Sequence, residues 1–321
     1  MELTEIELWA LFGIIIGVSL SLDLGIISKI NQRSKTDKTK EKSENEGLSF
    51  KQSLIRSIVW ICLAGIFASV IFLTLGNHKA LEFVTGYVLE ESLSIDNMML
   101  FLLIFTTLGI PHKYQHKVLS VGILSAIVMR VIVILIGSSL LESFQWMIYV
   151  FGGILIIGAF KMILRRNDQK IDISKNLSVK FLKKIIPIKT EITNHKFFTK
   201  INGVLYATPL LIALVIIEMT DLVFAMDSIP AVLAVTTDPF IVITSNIFAI
   251  SGLRALYFLI SSVIHKFYYL KIGLIGLLFF IGIKMIISDF FVISTLFSFL
   301  IIVLILGTVI AASMIRNYKT H

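Results

Sequence analysis

The sequence is poor in cysteine and in charged residues. Of its 321 residues only one, Cys62, is a cysteine, so no disulfide can form within the chain. Charged residues make up 16% of the chain and hydrophobic residues 56%, and the mean hydropathy is +0.91. These proportions exclude a soluble globular domain and are typical of a protein that crosses a membrane many times.

Motifs of pumps and enzymes are lacking as well. The sequence contains no nucleotide-binding motif of the Walker type, which argues against ATP-driven pumping. No Ser/His or Cys/His arrangement occurs within the apolar runs, so we do not expect an enzyme. The histidines fall in hydrophilic segments, which disfavours zinc or copper sites built from nitrogen and sulfur ligands. No prosthetic group is expected.

Apolar runs of about 20 residues, each long enough to cross a bilayer core, recur along the chain. They predict an all-α polytopic transmembrane protein with nine helices, at about residues 8–28, 54–75, 82–108, 118–140, 145–164, 204–234, 240–263, 268–288 and 291–314. The first run follows the acidic segment MELTEIEL, which lacks the cationic region of a signal peptide. We therefore expect this run to be retained as a membrane span.

The net charge of +8 is distributed unevenly over the predicted loops. Lysine and arginine concentrate in segments 29–56 and 165–200, whereas the loops on the other side carry Glu142, Asp238 and Asp289, with Lys79 as the one clear cation. By the positive-inside rule, the N-terminus lies outside and the C-terminus in the cytoplasm. The basic charge thus indicates an inner (plasma) membrane protein in contact with lipid, and no nucleic-acid partner.

An internal repeat organises the chain. The predicted regions are 1–80 (two helices and a cytoplasmic loop at 31–53), 81–165 (first three-helix repeat), 166–203 (basic cytoplasmic loop), 204–289 (second three-helix repeat) and 290–321 (last helix and cytoplasmic tail). The order acid, acid, arginine, lysine is formed by Glu90, Asp96, Arg130 and Lys161 in the first repeat and by Asp221, Asp227, Arg254 and Lys284 in the second. The two repeats begin on opposite sides of the membrane and are therefore inverted. Inverted repeats commonly place a transport site near the bilayer midplane, on interrupted helices.

The acids of both repeats lie at bilayer depth, where an ionised side chain costs several kcal/mol unless it faces a cavity, a partner or an ion. Six residues separate the two acids of each pair, so on a regular helix they lie about 9 Å apart along the axis and roughly 120° apart around it. They cannot bind one ion from a regular helix. Either the helix unwinds locally, with Pro209 and Pro230 as kink points in the second repeat, or the two acids serve different steps.

The candidate ligands are all oxygen donors, which suit hard divalent ions such as Mn²⁺, Mg²⁺ or Ca²⁺. The principal ones are Glu90, Asp96, Asp221 and Asp227, with Asn97 and Ser228 beside the second acid of each pair. Asp23 is a further ligand or a gate, and Glu218 is a supporting ligand or a proton carrier. Clustered acids bind protons as well as metal, so proton counter-transport is consistent with the same residues.

A structural interpretation of these acids stays open. They could neutralise Arg130 and Arg254 in buried ion pairs within a membrane scaffold or interaction protein. Lys161 and Lys284 lie in the last turn of their helices, and we expect both to extend to the membrane interface. Glu91 is disfavoured as a ligand because the second repeat has no equivalent.

Three segments resemble the TerC family of membrane proteins. LEESLSIDNMMLFLLIF is similar to the family's E-x-S-L-S-x-D-N element, and IEMTDLVFAMDSIPA is similar to its E-L-T-D-x-V-F-A-x-D-S-I-P-A element. TTDPFIVITSNIFAISGLRALYFLI is close to the signature of the second half. The resemblance extends from about Leu22 to about Asp289, and NHKFFTKINGVLYATPL is nearest the alkaline-induced, Alx-type branch.

The resemblance implies a polytopic protein, related to the LysE superfamily, that exports Mn²⁺ from the cytoplasm. The intramembrane acids of the family match Glu90, Asp96, Asp221 and Asp227 position by position. This chain departs from the family at Met98, Met99 and Ser251, none of which belongs to the acidic set. The leading prediction is thus a secondary exporter of divalent cations, with Mn²⁺ as substrate.

Overall fold

The long apolar runs fold into a bundle of helices. A computed structural model describes residues 5–23, 50–144, 146–164, 187, 196–201, 204–261, 269–288, 290–291 and 293–319. The helices in this part are α1 (Glu5–Asp23), α2 (Phe50–Leu75), α3 (Asn77–Thr107), α4 (His112–Ser143), α5 (Met147–Leu164), α6 (Pro209–Leu233), α7 (Pro239–Ser261), α8 (Leu270–Ile286) and α9 (Thr295–Lys319). The predicted all-α fold is confirmed. The predicted loops at 31–53 and 166–203 lie mostly outside the described residues.

Seven of the described helices are long and apolar enough to cross a bilayer. The other two are α3, whose apolar sequence is interrupted by the acids of the first repeat, and α8, which is shorter. Several helices start earlier than predicted: α3 begins at Asn77 rather than 82, and α4 at His112 rather than 118. The polar residues before each apolar run extend the helix by about a turn, a length that hydropathy alone does not report.

The predicted start of the sixth helix at residue 204 is wrong. Residues Val204–Ala207 form strand β2, which pairs antiparallel with β1 (Phe198–Ile201), and α6 begins only at Pro209. The sequence between the strands is Asn202-Gly203, the commonest short-range hairpin signal, and proline is favoured in the first turn of a helix. The Asn-Gly pair and the proline were both visible in the sequence. They were overlooked because the residues of β2 are apolar and were read as the start of the helix.

The packing of the two repeats is symmetric. Helix α3 packs on α7 and α4 on α6, so exchanging the first repeat (α3, α4, α5) with the second (α6, α7, α8) converts one pair into the other. The pairs α3·α6, α4·α7 and α5·α8 also pack together, and each maps onto itself in the same exchange. This arrangement is a pseudo-twofold relation, and it confirms the inverted repeats as part of the fold.

Polar contacts fix which helix ends lie together. At one end Asp23 of α1 binds Arg56 of α2 and Arg254 of α7; we call this the Asp23 end. At the opposite end, the Lys79 end, Lys79 of α3 binds Asp238 just before α7. Helices α3 and α7 therefore run parallel. Because α6 ends where α7 begins, α6 runs antiparallel to α3.

Helix α7 is the centre of the bundle, with almost all of its side chains buried. Aromatic rings from four helices pack around it: Phe12 of α1, Phe67 of α2, Phe83 of α3, and Phe240 and Phe248 of α7. Helices α1, α2 and α9 bury few of their residues and present apolar side chains outward, as membrane spans at the edge of a bundle do.

Candidate cation site

Arg130 is the centre of a buried polar cluster in the middle of the bundle. It lies on α4 and is only 1% exposed. Its Nη1 donates to a carboxylate oxygen of Glu90, to Ser228 Oγ at 2.9 Å and to Asn246 Oδ1 at 3.0 Å. Its Nη2 reaches Asp221 Oδ1 at the longer distance of 3.4 Å. One guanidinium thus joins α3, α6 and α7 to α4.

The two acids that Arg130 contacts occupy equivalent places in the two repeats. Glu90 is completely buried on α3, and Asp221 is 5% exposed on α6. The pseudo-twofold packing brings these helices together, so the first acid of each pair reaches the same cluster. Each acid lies on the buried face of its helix, where the rest of the span has apolar side chains.

The acidic motifs lie on continuous helices. Helix α3 extends from Asn77 to Thr107 and α6 from Pro209 to Leu233, without a break at either motif. Pro209 is the first residue of α6, and Pro230 lies in its last turn, so neither proline interrupts the helix near the acids. Local unwinding, one of the two alternatives from the sequence, is therefore not found in these helices, and the backbone positions of the two acids of each pair lie on different sides of their helix.

The register between α3 and α6 sets the levels of the four acids. A Cβ atom on Gly86 would lie 3.3 Å from Val232, so these two residues face each other across the antiparallel pair. Four residues further along α3 is Glu90, and four residues back along α6 is Ser228. By the same step Asp96 lies level with Leu222. The backbone thus places Glu90 level with Asp227, and Asp96 level with Asp221, about 9 Å apart along the bundle.

Each level therefore has one acid from each repeat. The side chains of Asp96 and Asp227 lie outside the described part of the structure, so only their backbone positions enter here. Asn97 is buried next to Asp96, and Ser228 is bound to Arg130 next to Asp227. Among the described side chains, no three acids, histidines or cysteines lie close enough together to hold a metal ion.

Buried oxygens near the cluster have unused bonding capacity. Within the described part of the chain, one carboxylate oxygen each of Glu90, Glu91 and Glu218 is buried without a hydrogen-bond partner, as is Ser94 Oγ. A buried carboxylate oxygen without a donor is costly, because desolvation is not repaid. Such oxygens suit a hard cation, which binds them directly. Glu91, disfavoured in the sequence, belongs to this group; its burial was detectable there only as an acid within an apolar run.

A small cavity lies between Asp221 of this cluster and Arg254. Its volume is about 20 Å³, enough for about one water molecule. Its polar lining residues are Glu218, Asp221 and Arg254, and the rest of its wall is apolar, from α3, α4, α6 and α7. Glu218 and Asp221 are three residues apart on α6 and share this face. Glu218 thus lies on the same face of α6 as Asp221, and its role as a supporting ligand or proton carrier stays a prediction.

Asp23 lies elsewhere. It ends α1 and binds Arg254 through Oδ2 at 2.8 Å and Arg56 through Oδ1 at 3.3 Å. Arg254 also donates to the Asp23 backbone carbonyl and, at 2.9 Å, to Ser120 Oγ of α4. The structure does not bring Asp23 together with Glu90 or Asp221. Arg254, the partner of Asp23 in this ion pair, lines the cavity, and the role of Asp23 as a ligand or a gate stays a prediction.

Two further contacts were not predicted from the sequence. Asn246 binds Arg130 from α7, and a lone amide in the run IVITSNIFAI was the available signal. The Nζ of Lys284 donates to the Ala234 carbonyl just after α6, at 3.1 Å. Lys161 is exposed on α5. The expectation that both lysines extend to the membrane interface stays a prediction.

Comparison with known proteins gives one consistent result. The chain is 43% identical over 310 residues to an uncharacterized membrane protein of Myxococcus xanthus, across 97% of this chain and 92% of that protein. It is 40% identical over 292 residues to Alx of Escherichia coli K12, named a membrane-bound redox modulator, across 88% and 87% of the two chains. An uncharacterized membrane protein of Rickettsia bellii is 38% identical over 309 residues, across 96% and 97%.

No solved structure matches the chain. The sequence model of the integral membrane protein TerC family matches residues 75–321, which include both repeats and all four intramembrane acids. The match agrees with the family elements around Glu90 and Asp227 and with the polytopic helical fold. This chain is a member of the TerC family of multi-pass integral membrane proteins.

Proposed function

We propose that this protein is a secondary transporter that exports divalent metal cations, Mn²⁺ in particular, from the cytoplasm. The observation that carries the proposal is the pairing of acids from the two inverted repeats at the middle of the bundle, around Arg130. Oxygen ligands at bilayer depth suit a hard divalent ion, and inverted repeats suit alternating access. The candidate ligands are Glu90, Asp96, Asp221 and Asp227, supported by Asn97, Ser228 and Glu218.

The cavity supports a direction of approach. With the N-terminus outside and the C-terminus in the cytoplasm, the Asp23 end faces the cytoplasm. A cation would then enter past Asp23 and Arg254 and meet Glu218 and Asp221 first. Protons bind the same carboxylates, so proton counter-transport is the coupling that we propose. Lipid surrounds the bundle, and no nucleic acid, prosthetic group or enzymatic reaction forms part of this function.

Replacing single acids by their amides tests the proposal. Asp96→Asn and Asp227→Asn keep size and hydrogen bonding but remove a ligand charge, so we expect loss of Mn²⁺ export with normal membrane expression. Glu142→Gln, at an exposed acid near the end of α4, is the matched control and should export normally. The measurement is cellular Mn²⁺ accumulation with and without each variant. Normal export in both Asn variants would contradict the proposal.

Orientation is tested separately. Reporter fusions or cysteine accessibility should place segments 31–50 and 165–200 in the cytoplasm and residues 1–6 outside. The expected compartment is the inner membrane of a bacterial cell. Fusions at 31–50 that report an outside location would reverse the assigned direction of transport and exclude export by this route.

A membrane scaffold with structural ion pairs is the alternative, and one observation favours it. Arg130 already forms ion pairs with both Glu90 and Asp221 without any metal. In a scaffold, amide variants of these acids would lower the amount of folded protein and leave Mn²⁺ levels unrelated to its presence. The name of the Alx relatives suggests a redox role; a thiol reaction in this chain would rest on Cys62 alone, which is exposed on α2.

A further inference from the structure

We propose that Arg130 is a resident counter-ion of the transport site, which leaves Glu90 and Asp221 when a divalent cation binds and returns when the cation departs. The inference rests on the proposed function and deepens it, because it assigns the residue that allows the empty carrier to reset. Arg130 is the guanidinium between the first acids of the two repeats.

Arg130 contacts the same side chains that are proposed to bind a metal cation. All four come from its two terminal nitrogens, and their partners are the candidate ligands Glu90, Asp221 and Ser228 together with Asn246. These partners lie on three other helices, and none of the described residues that bind the guanidinium lies on α4 itself. A cation that binds the Glu90 and Asp221 oxygens now in contact with Arg130 competes with the guanidinium for them.

The hydrogen-bonding groups of the cluster do not all have partners, as a purely structural buried ion pair requires. A buried pair stabilises a fold only when the remaining donors and acceptors also have partners. Here Arg130 Nε and one carboxylate oxygen of Glu90 are buried without partners among the described side chains, and the contact with Asp221 is long at 3.4 Å. The site has more acceptor capacity than one arginine uses.

The charges of the described groups favour exchange over joint occupancy. Glu90 and Asp221 contribute two negative charges, which Arg130 reduces to one and a divalent cation reduces to zero. For Glu90 and Asp221 taken alone, Arg130 and a divalent cation together would give a net positive charge, whereas exchange of one for the other keeps the charge between −1 and 0. An empty site without Arg130 would leave two uncompensated carboxylates, the costliest arrangement at this depth.

Arginine is suited to this task because its side chain remains charged under all physiological conditions. The resident charge therefore persists when the metal has left, whatever the local pH. The second repeat provides no substitute: Arg254, its equivalent, is bound to Asp23 at the end of the bundle. Among the described side chains Arg130 is thus the cation that contacts the first acids of both repeats, and it compensates the empty site whenever these acids are not protonated.

The test compares Arg130→Gln with the wild type in purified, reconstituted protein, using Mn²⁺ as the probe. If Arg130 competes with metal, its removal should tighten Mn²⁺ binding at least about tenfold at neutral pH. Net efflux from proteoliposomes should fall more than about tenfold, because the empty carrier no longer resets, whereas Mn²⁺/Mn²⁺ exchange should persist. Lys161→Gln removes the same charge from an exposed position on α5 and should change neither quantity by more than about twofold.

Arg130→Lys is a second variant, which tests the inference even if the Arg130→Gln protein does not fold. Lysine keeps the charge but loses the two-nitrogen fork, so Mn²⁺ affinity should rise by about threefold. A folded Arg130→Gln or Arg130→Lys protein with unchanged or weaker Mn²⁺ affinity would overturn the inference, and so would wild-type net efflux by Arg130→Gln. In those cases Arg130 is a clamp between the repeats and the proposed function stands.

Failure of the proposed function gives a different result. In that case wild-type protein binds Mn²⁺ no better than a Glu90→Gln variant, at any pH. Both proposals are then wrong, because no metal is present to displace Arg130. The two failures are therefore distinguished by the wild-type affinity alone.

Discussion

The crossing of α5 and α8 provides a quantitative test of the fold. A Cβ atom on Gly152 would lie 2.9 Å from the Gly282 carbonyl oxygen, and a Cβ on Gly282 would lie 2.9 Å from the Gly152 carbonyl oxygen. The obstacle in each case is backbone, which cannot rotate away. The two helices approach this closely because both positions lack a side chain, as small residues allow in membrane bundles.

Gly152→Ala should therefore separate the two helices or strain them. Overpacking of this kind costs about 1–3 kcal/mol, from which the better helix propensity of alanine recovers up to about 1 kcal/mol. Gly153→Ala is the matched control, because no atom lies within 4 Å of the added Cβ. It should be neutral or stabilising by up to about 1 kcal/mol.

The measurement is the free energy of unfolding of purified protein in mixed detergent micelles, for Gly152→Ala, Gly282→Ala and Gly153→Ala. Gly152→Ala and Gly282→Ala strain the same crossing, so the double variant should cost less than the sum of the two. Equal stability of Gly152→Ala and Gly153→Ala would refute the close approach of α5 and α8. The pseudo-twofold packing of the repeats would then need revision.

Two ion contacts at the bundle ends give further predictions. Asp23→Asn leaves Arg254 buried without its carboxylate partner, so we expect the free energy of unfolding to fall by about 3 kcal/mol. Arg56→Gln should lower it by less than about 1 kcal/mol, because the Arg56 side chain is 40% exposed. Equal costs would contradict this ranking. Lys284→Met removes the bond to the Ala234 carbonyl and should cost about 1.5 kcal/mol by the same assay; a cost within about 0.5 kcal/mol, as expected for Lys161→Met, would show that Lys284 is free to move.

The helical fold followed from hydropathy because the bilayer fixes the length of each apolar run. Nine runs predicted nine helices, and the described part has nine, with ends shifted by several residues. The hairpin at 198–207 was lost because its second strand, Val204–Ala207, continues into the apolar sequence of α6. Hydropathy measures transfer to lipid and does not separate a short strand from a helix.

The candidate site was predictable in its residues but not in its register. Burial of Glu90 and Asp221 follows from their place in apolar runs, and the repeat indicated that they meet. The sequence could not say that Arg130 lies between them, because that depends on how α3, α4 and α6 are shifted along one another. Nor could it separate a metal site from an ion pair, since both use the same residues.

The acids of the two repeats occupy equivalent positions, but their arginines make different contacts. This difference makes the two ends of the bundle unlike each other. Pseudo-twofold symmetry makes the site alike from both sides, so the acids alone would favour neither. Arg130 lies within the acid cluster, whereas Arg254 is held at the Asp23 end by α1, a helix outside the repeats. Arg130 thus binds the acids themselves, whereas Asp23, the partner of Arg254, comes from outside the repeats. In the transporter that we propose, this difference would allow the two sides of the site to open under different conditions.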